Sequence, residues 1–123
     1  MVTIAIIEDD IIINQMYRMK FESSGFNVIS SNDGMTGLQM LEKKHPDIIL
    51  LDLQMPNMNG AEVLSEIRNK KWGKNIPVIV LTNLGKEEAP KELEKLNISS
   101  YIVKAELTPR EVTERVKETL CVK

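Results

Sequence analysis

Apolar residues along the chain follow two periodic patterns that predict different secondary structures. Five short apolar runs are typical of strands buried on both faces of a sheet: TIAII, FNVIS, DIILL, IPVIVL and SSYIVK. Between these runs, apolar residues recur at spacings of three and four, which places them on one face of a helix. The alternating order of strand and helix predicts an α/β fold of the (βα)5 type.

The helical segments each place their apolar residues toward a sheet. The expected core-facing positions, helix by helix, are Ile13, Met16 or Tyr17, and Phe21; Leu38 and Leu41; Leu64 and Ile67; Val112, Val116 and Leu120. The segment TNLGKEEAPKELEKLN is the exception, because Gly85 and Pro90 both disfavour a helix interior. We expect this fourth helix to begin late or to fray.

Local signals mark where several helices begin and end. Gly25 and Asn97 follow the first and fourth helical segments, where each residue can adopt the left-handed conformation that ends a helix. In TPRE, Thr108 can cap the last helix and Glu111 can complete a capping box. The sequence therefore places the last helix near residues 109–121.

The connections between strands determine the expected topology. Short loops and right-handed crossovers limit such a chain to a doubly wound parallel sheet, and 2-1-3-4-5 is the common order for five strands. In that order the first and third strands are neighbours, and their carboxyl ends flank one crevice. Ligands of open α/β sheets bind at this edge, so the polar residues that follow the strands are the candidates for function.

Composition narrows the function classes without naming a partner. The chain has 123 residues, of which 42% are hydrophobic, and we expect a single domain over residues 1–123. A net charge of -2 gives no basic excess for direct nucleic-acid binding. No run approaches the ~20 apolar residues of a membrane span, so we expect no membrane insertion. The single Cys121 excludes an internal disulfide and predicts a reducing, cytoplasmic location.

Acidic residues follow the first and third strands. IIEDD carries Glu8, Asp9 and Asp10, and Asp52 follows four apolar residues in IILLD. Carboxylates that meet raise one another's pKa values, and a divalent cation is the usual remedy. Oxygen ligands without a His or Cys cluster favour Mg²⁺ over zinc. The simpler interpretation, in which EDDI caps a helix and complements its dipole, fits Asp10 best.

Two further polar residues, Thr82 and Lys104, lie at the ends of the fourth and fifth strands and so reach the same edge. A hydroxyl and an ammonium group beside a metal ion and a free carboxylate suit a tetrahedral anion, with the carboxylate as nucleophile. Taken alone, each is ordinary: a β-branched strand residue and a surface lysine. Their assignment depends on the acids that the same sheet edge brings together.

The motifs IIEDD, LLDLQMPNMNG, VIVLTN and YIVKA occur in this order across nearly the whole chain and resemble the response regulator receiver family. The resemblance implies a flavodoxin-like receiver fold and a stand-alone, chemotaxis-type regulator in a two-component phosphorelay. It implies that a histidine kinase or a histidine phosphotransfer protein phosphorylates Asp52 in a Mg²⁺-dependent reaction. The phosphorylated form, a monomer or a phosphorylation-dependent dimer, would then act on a downstream target protein. A diffusible regulator and a phosphorelay intermediate both fit.

The resemblance also implies roles for individual side chains around the phosphoacceptor. Thr82 and Lys104 would contact the phosphoryl oxygens. Tyr101 would be the switch aromatic that turns inward when Thr82 moves, although a tyrosine at a strand end is often only half-buried packing. The surface expected to change comprises the fourth helix, the fifth strand and the fifth helix. The implied metal ligands are Asp9, Asp52, Glu8 through water, and the backbone carbonyl of Gln54.

Two residues depart from the pattern that is usual in the family. Ala105 stands where a proline usually follows the lysine, and a cis bond before a non-proline residue costs ~3 kcal/mol, so we predict a trans Lys104–Ala105 bond. Asn83 stands where a small residue usually follows the threonine. Its amide can restrict or hydrogen-bond water near the phosphoryl site, so we expect faster autodephosphorylation after Asn83→Ala.

Two rival functions remain open at this level. One is a Mg²⁺-dependent aspartyl-phosphate hydrolase or phosphotransferase, although such a phosphatase is expected to carry a second Asp where this chain has Gln54. The other is a degenerate receiver that acts as a contact-only binding module, although it would need to lose the acids or Lys104. The sequence favours a phosphoacceptor that is not an enzyme beyond self-phosphorylation from a phosphodonor and autodephosphorylation.

Overall fold

A five-stranded parallel sheet organises the computed structural model, which describes residues 1–120. The strand order is β2-β1-β3-β4-β5, which confirms the doubly wound topology predicted from the sequence. The strands are β1 (Thr3–Ile7), β2 (Asn27–Ser31), β3 (Ile48–Leu51), β4 (Val78–Thr82) and β5 (Ser100–Val103). The α-helices of the described residues are α1 (Ile11–Ser23), α2 (Gly34–Lys44), α3 (Gly60–Asn69) and α4 (Pro109–Leu120).

The central strand β3 shows why a continuous apolar run marks this kind of sheet. Ile49 and Leu51 pack in the hydrophobic cluster that includes residues of α2 and α3. Ile48 and Leu50 pack in the second cluster, which includes residues of α1 and α4. Because successive side chains of a strand point to opposite faces, a strand covered on both faces has no place for a polar residue. The first polar side chain after β3 therefore lies at the sheet edge.

The prediction of a fourth α-helix between β4 and β5 is wrong. In its place the chain forms two 3-10 turns, Lys86–Glu88 and Lys91–Lys95, joined through Pro90. Pro90 has an extended backbone conformation, with φ -58° and ψ 134°, and it has no N–H to donate. The interruption was expected to delay or fray the helix, and it instead removes it. The predicted fifth helix is α4.

Arg68, in the last turn of α3, secures the far end of this irregular segment. Its guanidinium group donates to the backbone carbonyls of Leu96 at 2.7 Å and Asn97 at 2.9 Å. It also donates to the carbonyls of Gly73 at 2.7 Å and Ile76 at 2.9 Å. Burial lowers the pKa of Arg68 from its usual value. One side chain thus hydrogen-bonds four backbone carbonyls, two of which lie at the end of the irregular segment.

The local signals at the ends of the predicted segments agree with the structure, although the segment before Asn97 is not an α-helix. Gly25 and Asn97 have φ values of 94° and 53°, both in the left-handed region. Thr108 and Glu111 form the reciprocal capping box, with hydrogen bonds of 3.2 Å and 3.0 Å. Residue 121, the last of the predicted helix and the single cysteine, lies outside the described residues. Within residues 1–120, no helix is long and apolar enough to cross a membrane.

The structure also answers two local questions: which residue of α1 is buried, and whether the peptide bond after Lys104 is cis or trans. On α1 the buried residue is Tyr17, at 4% exposure, whereas Met16 is 42% exposed. The Lys104–Ala105 bond is trans, as predicted, because the described residues contain no cis peptide bond. A 3-10 turn over Lys104–Glu106 follows β5 directly and leads into α4.

Candidate functional site

The register of the sheet places the acids of β1 and β3 side by side. Ile7 and Leu51, the last residues of the two strands, are paired, and the Asp52 N–H donates to the Ile7 carbonyl at 3.0 Å. Glu8 and Asp52 therefore leave the sheet as neighbours. Both residues are buried, at 4% exposure each. The strand ends alone thus bring two carboxylates into one crevice.

Three carboxylates converge at this edge. Glu8, Asp9 and Asp52 each offer an oxygen, and these oxygens all lie within 4.8 Å of one another. Asp10 is exposed and serves differently: its Oδ1 accepts from the backbone N–H groups of Ile12 and Ile13 at 3.0 Å and 3.1 Å. The structure therefore assigns the helix-capping role to Asp10 alone and leaves the other three acids facing a common centre.

The backbone around Asp52 is fixed from the side of α3. A Cβ atom on Gly60 would lie 2.2 Å from the Asp52 carbonyl oxygen, so only glycine permits this approach. The Gly60 N–H donates to the Leu53 carbonyl at 3.0 Å, and the Gln54 N–H donates to Asp52 Oδ1 at 3.3 Å. The predicted metal contact of the Gln54 carbonyl stays a prediction. Together these contacts hold the Asp52 carboxylate in one orientation.

Lys104 supplies positive charge to the cluster. Its Nζ forms an ion pair with Glu8 Oε1 and lies 3.6 Å from Asp52 Oδ2. The Lys104 side chain is only 11% exposed, so water screens these interactions weakly. The sequence placed Lys104 at this edge but gave no reason to pair it with Glu8. In the structure the ammonium group lies between two acids rather than beside one.

Burial shifts the protonation of Glu8. Burial raises the pKa of Glu8 from 4.5 to about 7; the hydrogen bond from Lys104 opposes this rise, and the charge of Asp52 adds to it. Burial also raises the pKa of Tyr17, with a contribution from the charge of Glu8. A crevice with three carboxylates and one ammonium group holds uncompensated negative charge. Its oxygen donors fit a hard divalent cation such as Mg²⁺.

The raised pKa of Glu8 predicts a pH dependence of stability in Mg²⁺-free buffer. The folded protein binds more protons than the unfolded chain between pH 4.5 and about 7. The Glu8 contribution is therefore fully present below pH 4.5 and is lost as the pH rises through 7. As the pH rises from 4.5 to above 7, chemical denaturation should show a decrease in unfolding free energy on the order of 3 kcal/mol from this group.

The control for this prediction is a pair of glutamine variants. Glu8→Gln should flatten the pH dependence of stability and raise the stability at pH 8 relative to the wild type. Glu42→Gln, on the exposed face of α2, should leave the pH dependence of stability unchanged. An equal slope in the wild type and in Glu8→Gln would show that Glu8 does not titrate in this range.

The predicted switch residues are linked through the chain segment that follows β4. Thr82 is fully buried at the end of β4, and its Oγ1 accepts from the Leu84 N–H at 3.4 Å. The Tyr101 hydroxyl donates to the carbonyls of Leu84 at 3.0 Å and Gly85 at 3.4 Å. Burial raises the pKa of Tyr101, and the nearby acidic side chains of this segment add to the rise. Leu84 thus contacts both predicted switch side chains.

Asn14 lies next to the site, and the sequence did not predict a role for it. Its side chain is buried, at 3% exposure, and its Nδ2 donates to the carbonyls of Glu8 at 3.1 Å and Ser31 at 3.0 Å. The buried residues of α1 are Asn14, Tyr17 and Phe21. These positions are spaced by three and four, so they lie on one face of the helix. The available signal for a buried asparagine was therefore its position on the same face as two aromatic core residues.

The fold and the site together define a doubly wound α/β domain with an acidic cluster at the carboxyl edge of its sheet. The chain belongs to the response regulator receiver domain family, which matches residues 4–117. It is therefore a receiver domain of the type found in two-component response regulators. Among curated proteins it is similar to the polar-differentiation response regulator DivK of Brucella ovis, with 29% identity over 108 residues and 88% of each chain covered.

Solved structures show the same architecture. The Vibrio cholerae chemotaxis protein CheY4 superposes with a TM-score of 0.89 at 25% identity, over 97% of this chain and 98% of that one. The Thermotoga maritima response regulator TrrA, solved in complex with Mg²⁺-BeF, superposes with a TM-score of 0.85 at 26% identity, over 97% and 99% of the two chains. Both similarities extend over nearly the full length of the described chain.

Proposed function

We propose that this receiver domain is a phosphorylation switch in which Asp52 accepts a phosphoryl group from a phosphohistidine. The observation that carries the proposal is the convergence of the Glu8, Asp9 and Asp52 carboxylates within 4.8 Å, with Lys104 against two of them. The donor is a histidine kinase or a histidine phosphotransfer protein, and the protein acts in the cytoplasm. Whether it is a diffusible regulator or a phosphorelay intermediate depends on its target.

The acidic crevice is proposed to hold Mg²⁺. Asp9 and Asp52 bind it through carboxylate oxygens, Gln54 through its carbonyl, and Glu8 through water. When bound, the ion neutralises negative charge on the acids and on the transferred phosphoryl group. The similarity to TrrA, which was solved with Mg²⁺-BeF, supports this assignment, as does the excess of carboxylates over ammonium groups.

Each residue of the site has a separate role in the proposed phosphoryl transfer. An Asp52 carboxylate oxygen forms a bond to phosphorus as the bond from phosphorus to the donor histidine nitrogen breaks. The Gln54 N–H on Oδ1 and Lys104 near Oδ2 orient this carboxylate. Lys104 and the Thr82 hydroxyl compensate charge on the phosphoryl oxygens. The product is an acyl phosphate on Asp52, and its hydrolysis resets the switch.

The signal leaves the site through the segment after β4. When the Thr82 hydroxyl turns toward the phosphoryl group, it gives up the hydrogen bond from the Leu84 N–H. Leu84 also accepts from the Tyr101 hydroxyl, so a shift of Leu84 changes the position of Tyr101. The surface that changes consists of residues 83–98, β5 and α4. Within it, a groove of about 590 Å³ is lined by Tyr101 and by several residues of each 3-10 turn.

A contact surface for the phosphodonor lies beside the crevice on α1. Ile11, Ile12, Met16 and Met19 are 59%, 79%, 42% and 69% exposed, although soluble proteins usually cover such side chains when they cluster. Met35, in the first turn of α2, is a further exposed apolar residue at 63%. Because α1 begins immediately after the acids, a partner that packs on this face can bring its histidine to Asp52.

The variant Ile12→Lys tests this surface. We expect phosphotransfer from a purified kinase that phosphorylates the wild type to fall about tenfold, equivalent to 1.4 kcal/mol of lost binding. Phosphorylation by a small phosphodonor should not change, because Ile12 is absent from the acidic crevice. Gln39→Lys, on the exposed face of α2, is the matched control. Equal transfer to the wild type and to Ile12→Lys would place the donor elsewhere.

The whole proposal is tested by intact mass after incubation with a small phosphodonor and Mg²⁺. One phosphoryl group per chain, lost again over time and dependent on Mg²⁺, supports the switch. A hydrolase or phosphotransferase would instead turn over phosphate esters much faster than the phosphoprotein decays. A contact-only module would bind neither Mg²⁺ nor phosphoryl groups. We propose that the protein is a phosphoacceptor and not an enzyme in that sense.

A further inference from the structure

The buried amide of Asn14 connects the ends of two strands immediately behind the acidic crevice. Its Nδ2 donates to the carbonyl of Glu8, the residue after β1, and to the carbonyl of Ser31, the last residue of β2. The Ser31 carbonyl also accepts from the Glu8 N–H at 3.1 Å. Asn14 thus fixes the backbone of Glu8 through its carbonyl.

The same turn is tied to α1 at a second point. The Asp10 N–H donates to Glu8 Oε2 at 3.1 Å, and the Asn14 N–H donates to the Asp10 carbonyl at 2.9 Å. The backbone and the side chain of Asn14 therefore hold the two ends of the turn Glu8–Asp10. A buried amide is costly unless it is hydrogen-bonded, and an apolar residue would serve if packing were the only need of this position.

The turn needs such support because the three carboxylates repel one another. Oxygens of Glu8, Asp9 and Asp52 lie within 4.8 Å of one another, and two of these residues are buried. Repulsion between them favours movement of the turn away from Asp52. The Lys104 ion pair holds the Glu8 carboxylate but makes no bond to the backbone of the turn. Asn14 acts on that backbone directly, and its Nδ2 donates to backbone carbonyls rather than to the carboxylates of the crevice.

We propose that Asn14 is a positioning residue that sets the Mg²⁺ affinity of the site by holding the Glu8–Asp10 turn against the sheet. This inference rests on the proposed function, because it takes the three acids as the Mg²⁺ site. Asn14 contributes to the arrangement of the acids before Mg²⁺ binds and not to the transfer step. Its loss therefore weakens Mg²⁺ binding while phosphorylation at saturating Mg²⁺ stays close to the wild-type rate.

The test compares Asn14→Leu with Thr113→Val, a control in which another buried helix hydrogen bond is lost. The Thr113 hydroxyl donates to the Pro109 carbonyl at 2.9 Å on α4 and is 2% exposed. Both variants should lower the Mg²⁺-free unfolding temperature. By isothermal titration calorimetry, only Asn14→Leu should weaken Mg²⁺ binding, by about tenfold, as is typical when support for metal ligands is removed. Asn14→Ser, which keeps a donor, should bind with intermediate affinity and serves if Asn14→Leu does not fold.

The outcomes separate the inference from the proposed function. Unchanged Mg²⁺ affinity in Asn14→Leu or Asn14→Ser, with stability lowered as in Thr113→Val, would overturn the inference and leave the switch intact. A wild-type protein that binds no Mg²⁺ would overturn the proposed function. In that case amide hydrogen exchange decides the positioning role: faster exchange at Asp9 and Asp10 in the Asn14 variants, but not in Thr113→Val, supports it, and equal exchange refutes it.

Discussion

An Asp52→Asn variant will gain no mass when it is incubated with a small phosphodonor and Mg²⁺, whereas the wild-type protein will gain one phosphoryl group. The amide is close in shape to the carboxylate but is not a nucleophile that can form an acyl phosphate. Asp52 is the buried acid that both Gln54 and Lys104 orient, so its replacement should remove the reaction completely. Intact-protein mass spectrometry at matched times provides the measurement.

The control for this prediction lies at the other end of the same strand. Asp47 precedes β3, and its carboxylate accepts from the Thr3 N–H at 2.8 Å, on the edge of the sheet away from the crevice. Asp47→Asn removes one carboxylate of the same type and should gain mass as the wild type does. If Asp52→Asn still gained a phosphoryl group, the acceptor would be another residue.

Replacement of Lys104 by methionine should have two opposite effects. The phosphorylation rate should fall on the order of 100-fold, because a positioned charge on the phosphoryl oxygens is lost. The Mg²⁺ affinity should rise, because the ammonium group that compensates Glu8 and Asp52 is gone while both acids remain. Rates at saturating Mg²⁺ and calorimetric titrations measure the two effects separately.

Lys44→Met, at the exposed end of α2, controls for the loss of one positive charge and should change neither quantity. The two effects of Lys104→Met must also appear together. A slower reaction with unchanged Mg²⁺ affinity would mean that Lys104 does not balance the acids in the free protein. An unchanged reaction rate would exclude Lys104 from the transfer.

The sheet and the edge that carries the site could be predicted because each depends on strong local patterns. A run such as IILL has no polar position, so it fits only a strand covered on both faces, and the acid that follows must lie at the edge. The register of β1 and β3 then juxtaposes Glu8 and Asp52 without further information. The capping box of Thr108 and Glu111 is local as well, and it was predicted correctly.

The features that escaped prediction depend on partners distant in sequence. The ion pair of Glu8 and Lys104 joins residues 96 positions apart, and no periodicity reports it. Asn14 was not predicted because the sequence assigned the apolar neighbour Ile13 to the core-facing side of α1, whereas the structure buries Asn14. The missing helix after β4 had a local cause in Pro90, but its irregular replacement is supported by Arg68, 28 residues before Leu96.

The bonds of Arg68 also have a mechanical consequence. The guanidinium group anchors Leu96 and Asn97 to the end of α3, while the segment that begins at Asn83 leaves the site from β4. In the proposed switch, a displacement that starts at Leu84 should therefore decrease toward Asn97, where these hydrogen bonds hold the segment. Residues between Asn83 and Pro90 should then move furthest, and the residues bonded to Arg68 should move least.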